Sequence, residues 1–194
     1  LTALCGCWSQ VDAAEAASLG ADVLFGTGDR QGFVRAVETA AAERGAGGSV
    51  TKLDDPFRRT GFEELPAGAY AGHARAYLKI QDGCDNFCTY CIVPYTRGRE
   101  RSRSPRSIVN EVLDLQSKGY KEVTLLGQNV NSYLWRGDNQ EVNFPALLAM
   151  VAQTVPNMRI RFATSHPKDM NDDILRAIAT HSNICKHIHL PFQS

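Results

Sequence analysis

The densest chemistry in this chain lies between Gly83 and Arg103, in the run GCDNFCTYCIVPYTRGRERSR. Cys84, Cys88 and Cys91 follow a C-x3-C-x2-C spacing. Thiolates bind soft or borderline metals, so zinc, an iron–sulfur cluster and redox thiol chemistry are the three readings. A structural zinc site needs four protein ligands, and no histidine lies within this loop. A cubane 4Fe-4S cluster has four corners, and three close cysteines would leave one iron open to a substrate or cofactor. Spacing alone favours that open-corner cluster and leaves the other two readings standing. The tail that follows holds Arg97, Arg99, Arg101, Arg103 and Arg106 with a single acid, Glu100. Either the tail is a solvated loop, or its guanidinium forks meet phosphate or carboxylate.

The rest of the chain must position that loop. The 194 residues are 43% hydrophobic, enough for a core, and length alone allows one or two domains. Lys and Arg total 21 and so do Asp and Glu, so net charge names no partner and only a local patch could. No apolar run is long enough to span a membrane, and LTALCGC lacks the form of a secretory signal. The six cysteines in a chain with long helical patterns and no export signal argue for metal or redox chemistry over disulfides. The chain begins at Leu1 and stops at Ser194 directly after a strand-like run, so a fragment is expected.

Residues 10–19 read as an Ala-rich helix, Val23–Phe25 as a buried strand, and 32–45 as a second helix with Gly45 as its cap. The stretch 46–70, rich in Gly, Pro and charge, reads as a linker between a domain ending at residue 45 and a second over 71–194. In that second part, strands are expected at 76–83, 122–127, 158–164 and 186–190. Helices are expected at Ser107–Lys118, 144–153 and Asp172–Thr180. Alternating strands and helices predict an α/β fold with a parallel sheet, here part of a (βα) barrel. Ligands gather at the C-terminal ends of such strands. The polar clusters Cys84–Cys91, Gly127-Gln128-Asn129, Ser165-His166 and Phe192-Gln193 each follow a predicted strand, so one rim is expected to hold them.

C-x3-C-x2-C after the first strand of a βα barrel resembles the radical S-adenosylmethionine superfamily. The longer string GCDNFCTYCIVPYTRGRERSRSP resembles the methylthiotransferases within it. LLGQNVNSY (125–133), RIRFATSHP (159–167) and HLPFQS (189–194) resemble the MiaB family, the branch that methylthiolates isopentenyl-adenosine beside the tRNA anticodon. Sister branches act on threonylcarbamoyl-adenosine in tRNA or on a ribosomal-protein aspartate. The resemblance implies a Rossmann-like N-terminal domain of which 1–45 is the end, and a radical S-adenosylmethionine core over 71–194. It implies that Cys84, Cys88 and Cys91 ligate a 4Fe-4S cluster whose open iron chelates S-adenosylmethionine. Tyr90 would lie near the cofactor's adenine; Gly127, Gln128, Asn129, Ser165 and Gln193 would line its site. LCGCWSQ (4–10) matches the family's auxiliary-cluster segment, with Cys7 as one of three ligands. Arg97, Arg99 and Arg101 would meet tRNA phosphate. Further implied are an electron donor such as flavodoxin or ferredoxin, a monomeric state, no membrane, and a cytoplasmic location.

Other residues carry plainer readings. Cys5 reads as a small packed thiol. Cys185, His187 and His189 alternate on one strand face, where packed histidines are favoured over an incomplete zinc site. His166 reads as a polar neighbour of the cofactor, or as a general base. Tyr133 and Trp135 either stack on bases or cover the strand end.

Overall fold

The computed structural model describes residues 1–43, 48–65 and 74–192. The cap expected at Gly45 therefore lies outside the described residues, as does Gln193. The chain divides into two compact units, Leu1–Glu63 with Cys84–Arg99, and Glu64–Gly83 with Glu100–Ser194.

In the first unit, β1 (Ala3–Cys5), β2 (Val23–Phe25) and β3 (Val50–Lys52) form a parallel sheet in that order. Val23, Leu24 and Phe25 are buried, as a strand covered on both faces requires. The helix expected over 10–19 is two helices, α1 (Cys7–Val11) and α2 (Ala13–Ser18). Asp12 breaks it by leaving helical geometry and accepting the Glu15 N–H, at 2.9 Å, with its side chain. The next helix, α3 (Arg30–Ala42), starts two residues earlier than expected because the Asp29 side chain caps the Gly32 N–H. Within the stretch read as linker, Val50–Lys52 supplies β3. The cysteine run belongs to this unit. It carries the short helix α4 (Val93–Arg97), whose Thr96 carbonyl accepts from the Thr27 hydroxyl.

In the second unit, β4 (Arg75–Lys79), β7 (Glu122–Leu126) and β10 (Arg159–Ala163) form a parallel sheet of order β10-β7-β4. Between them in sequence lie β5 (Gln81–Asp82) paired with β6 (Arg101–Ser102), and the hairpin β8 (Leu134–Gly137) with β9 (Gln140–Asn143). Sequence reasoning missed the hairpin. Its signal is Asp138-Asn139, both at positive φ (51° and 57°), the conformation a two-residue turn of matching twist demands. The β4, β7, β10 order is consecutive, as in the wall of a (βα) barrel. The α/β class expected from the alternation is the one observed.

Helices α5 (Pro105–Ser117), α6 (Phe144–Thr154) and α7 (Asp172–Thr180) follow β4, β7 and β10 in the chain. Each has a capping side chain at its start, Ser104, Asn143 and Asn171 respectively. Ile108, Val112 and Leu115 of α5 join Phe144, Leu147, Leu148 and Val151 of α6 in one core with Leu78, Val123, Leu125, Ile160 and Phe162 of the sheet. Strand β7 is buried on both faces over Glu122–Leu125. At the entry end of the sheet, Glu122 meets Arg161 at 3.1 Å, Arg75 at 3.4 Å and Arg159 at 3.8 Å.

The strand expected at 186–190 is absent. Ile184 makes a single parallel bridge to Ile160, and pairing stops there. Lys186, His187, His189 and Leu190 are exposed, so the run lacks the two-sided burial that holds an inner parallel strand.

Two stability outcomes follow. Leu125→Ala removes a fully buried side chain from the central strand and is expected to cost about 3 kcal/mol. Asn143→Ala removes only the α6 cap and should cost about 1 kcal/mol. Urea denaturation midpoints of the two variants check the order; equal losses would contradict this assignment of the core.

Candidate functional site

The cysteine loop is built on backbone turns. Gly83, at φ 77°, leads into Cys84, whose N–H donates to the Gly98 carbonyl at 3.2 Å. The Cys91 N–H donates to the Cys88 carbonyl at 2.9 Å, closing a tight turn around Thr89 and Tyr90. Phe87, at φ 47°, sits in the left-handed region that side-chain-bearing residues seldom adopt. Cys84 is buried, Cys88 and Cys91 are half-buried, and none of the six cysteines is in a disulfide. Among the described residues no three His, Cys, Asp or Glu side chains already converge where they could hold a metal ion. This applies equally to Cys185, His187 and His189. The donor set itself fits a cluster with three protein-held corners: three thiols on one short loop, with no histidine among them.

Cys7 is the first residue of α1 and half-buried, next to Gly6 at φ 126°. Cys5, expected to be packed, is exposed; it ends β1, which among the described residues is an edge strand paired with β2. Tyr90 is 75% exposed. Around the loop, Phe57, Phe87 and Tyr95 form an aromatic trio with centroids 5.8–6.4 Å apart, and the Arg99 guanidinium lies 5.0 Å over Phe87. Such a cation over a ring face is attracted by its quadrupole.

The three arginines proposed for phosphate are not equivalent. Arg99 is exposed and reaches Asp85 at 3.4 Å; Arg97 is half-buried. Arg101 is buried against Asp82 at 3.4 Å, and its side chain is only 7% exposed. That burial withdraws it from a phosphate backbone, and it corrects the expectation for this residue. Arg103, also in the basic tail, is buried in ion pairs with Glu111 and with Glu64, the latter at 3.2 Å. Arg101 and Arg103, two residues apart on β6 and its continuation, share the buried face, whereas Arg97 ends α4 and Arg99 precedes the strand.

At the C-terminal end of β7 the second unit gathers a different set. Gly127, Gln128 and Asn129 turn away from the strand, and the Val130 N–H donates to the Thr164 carbonyl at 2.9 Å. This brings the segment after β7 against the one after β10, as the sequence predicted for these two clusters. Asn129 is 2% exposed; its amide nitrogen donates to Asp169 at 2.6 Å, and its oxygen has no partner. Asn131 Oδ1 and Ser165 Oγ are likewise buried without partners. Three orphaned polar atoms at one sheet end are costly unless something polar meets them. Sequence reasoning missed Asn131 and Asp169; their only signal is an amide or acid in a run that otherwise turns. His166 accepts the Lys168 N–H on its Nδ1 at 3.2 Å and so caps the turn at Pro167–Asp169. Tyr133 is buried, its hydroxyl donating to the Arg103 carbonyl at 2.6 Å, and burial holds that hydroxyl protonated. It is therefore no stacking platform. Trp135 packs partly buried against the core.

Comparison with known proteins places the chain. Its segment 78–194 matches the model of the Radical SAM superfamily. It is similar to the tRNA-2-methylthio-N(6)-dimethylallyladenosine synthase of Bacteroides thetaiotaomicron, 57% identical over 150 residues, covering 77% of this chain and 33% of that protein. It is also similar to the synthase of the same name from Parabacteroides distasonis, 64% identical over 122 residues, covering 63% of this chain and 27% of that one. Among solved structures it resembles TsrM, a radical S-adenosylmethionine methyltransferase from Kitasatospora setae. The TM-score is 0.46 and the identity 15%, over 59% of this chain and 21% of that one. The chain spans about a third of the length of the curated relatives it matches. With more than half of its residues matched by that one family, the chain belongs to the radical SAM superfamily.

Proposed function

We propose that this chain is part of a tRNA methylthiotransferase that modifies C2 of N6-isopentenyladenosine beside the anticodon. The observation that carries the reading is the trio Cys84, Cys88 and Cys91 on one loop, in a chain whose curated relatives bear the name of that synthase. Residues 1–45 are read as the end of the N-terminal domain, 46–70 as a linker, and 71–194 as core. Cys7 is read as one ligand of an auxiliary cluster. The other expected participants are an electron donor such as flavodoxin or ferredoxin, and a monomeric protein in the cytoplasm. Among the described residues no helix is long and apolar enough to cross a membrane.

When bound, a 4Fe-4S cluster supplies the electron that cleaves the sulfonium of S-adenosylmethionine, and an open iron for that molecule's amino-acid end. The chain's residues do the rest. Cys84, Cys88 and Cys91 would hold the cluster through their sulfurs. Gly127 lets the turn after β7 close onto Gln81, since a side chain there would collide with it. The buried, partnerless Asn129 Oδ1, Asn131 Oδ1 and Ser165 Oγ suit a ligand rich in N–H and O–H donors, such as an ammonium and ribose hydroxyls. Tyr90 and Gln128 are candidate neighbours of the same ligand. Arg99, exposed and close to the aromatic trio, is the best-placed arginine for tRNA phosphate, with Arg97 second.

Two outcomes test this in the intact protein. After anaerobic iron–sulfur reconstitution, Cys84→Ala should abolish the reduced electron paramagnetic resonance signal that responds to S-adenosylmethionine, while Cys5→Ala should keep it. A colourless protein with stoichiometric zinc would reject the reading. Arg99→Glu should weaken tRNA binding and lower the slope of log affinity against log salt by about 0.7–0.9. An unchanged slope removes Arg99 from the RNA contact.

A further inference from the structure

Gln81 is fully buried, in the two-residue strand β5 that immediately precedes the cysteine loop. Glutamine is rarely buried unless its amide is used. Here both ends are used. The oxygen Oε1 accepts from the Gln128 N–H at 2.7 Å and from the Asn129 N–H at 3.2 Å. The nitrogen Nε2 donates to the Gly83 carbonyl at 2.8 Å. One side chain therefore ties the backbone of the Gly127–Asn129 turn to Gly83, the residue covalently joined to Cys84. A Cβ on residue 127 would stand 2.6 Å from the Gln81 oxygen and 3.0 Å from its Cβ, so the turn closes directly onto this amide.

We propose that Gln81 is a positioning residue that fixes the Gly127–Asn129 turn relative to Gly83, within the second unit. It sets the direction in which the Asn129 side chain leaves the backbone, and it pins the carbonyl from which the loop departs. The buried Asn129 N–H and the half-buried Gln128 N–H both depend on it. Glutamine suits this place because it both accepts and donates in one plane. Glutamate lacks the donor and methionine lacks both groups.

The role of the turn in holding S-adenosylmethionine rests on the function proposed above, so the test has one arm that does not need it. In the intact protein, hydrogen exchange of the peptide spanning 127–131 should quicken about tenfold in Gln81→Met, as a local opening that loses these bonds requires. Gln81→Glu keeps the acceptor and should fall between that variant and wild type. Exchange in the α6 peptide should not move in either. In the reconstituted protein, the KM for S-adenosylmethionine should rise about tenfold in Gln81→Met, with kcat for cofactor cleavage changed less, because the bound geometry is lost before the chemistry. If Gln81→Met does not fold, Gln81→Glu carries both arms. Exchange at 127–131 equal to wild type overturns the positioning role, whatever the activity. Altered exchange in a protein whose wild type cleaves no S-adenosylmethionine upholds the role and overturns the functional reading instead.

Discussion

The in-register parallel pairing of β4, β7 and β10 is the constraint on which the second unit depends. Arg75, Glu122 and Arg159 share one rung, and Lys79, Leu126 and Ala163 share the last. Parallel strands in register start and stop together, so the segments after them begin at one level. Strand β7 is held there by burial on both faces. Val123 and Leu125 reach the helical core, while Glu122 and Thr124 occupy the other face. A slip of one residue would exchange those faces and put a carboxylate into the core, a penalty that specifies the register.

The two ends of this sheet treat polar groups differently. At the entry end, Glu122 is surrounded by three guanidinium groups. Two of those arginines are well exposed, so the cluster contributes less than its geometry suggests, and its main effect is to keep Glu122 compensated while buried. At the exit end, Gln81 is satisfied on both sides, but Asn129 Oδ1, Asn131 Oδ1 and Ser165 Oγ are not. Balanced buried charge at one end and unmet polar atoms at the other support the proposed ligand site at the second. The rule that ligands meet open α/β sheets at strand C-termini gives the same direction.

The cysteine loop follows a different logic. Its contacts are with the first unit: Thr27 and Arg59 reach the Thr96 carbonyl, and Phe57 meets Phe87 and Tyr95. Arg59 is itself fixed by Asp54 and by Gln10 at 3.0 Å. Residues from the N-terminal sheet, from the segment after it and from the cysteine run thus form one hydrogen-bonded group. Thiolates gather only when metal and deprotonation favour it, so ligand loops need support from neighbours that do not ligate.

The sequence by itself determined the α/β class, the helices of the second unit within two residues and its second and third main strands within one, because apolar spacing there is strong and each helix carries its own cap; the first strand ends at Lys79, short of the expected run to residue 83. It also determined the thiol trio and the Gly127–Asn129 and Ser165 clusters, since residue type and strand-end position are local facts. Tertiary structure decided what depends on partners distant in the chain. The basic tail divided, with Arg101 turned inward to Asp82 and Arg99 left outside, because burial is set by pairing with β5 and not by charge. The run at 186–190 stayed unpaired past Ile184, although its alternation is strand-like. Gln81 acquired its place from residues 47 and 48 positions away, and no local pattern around IQDG encodes a hydrogen bond of that span.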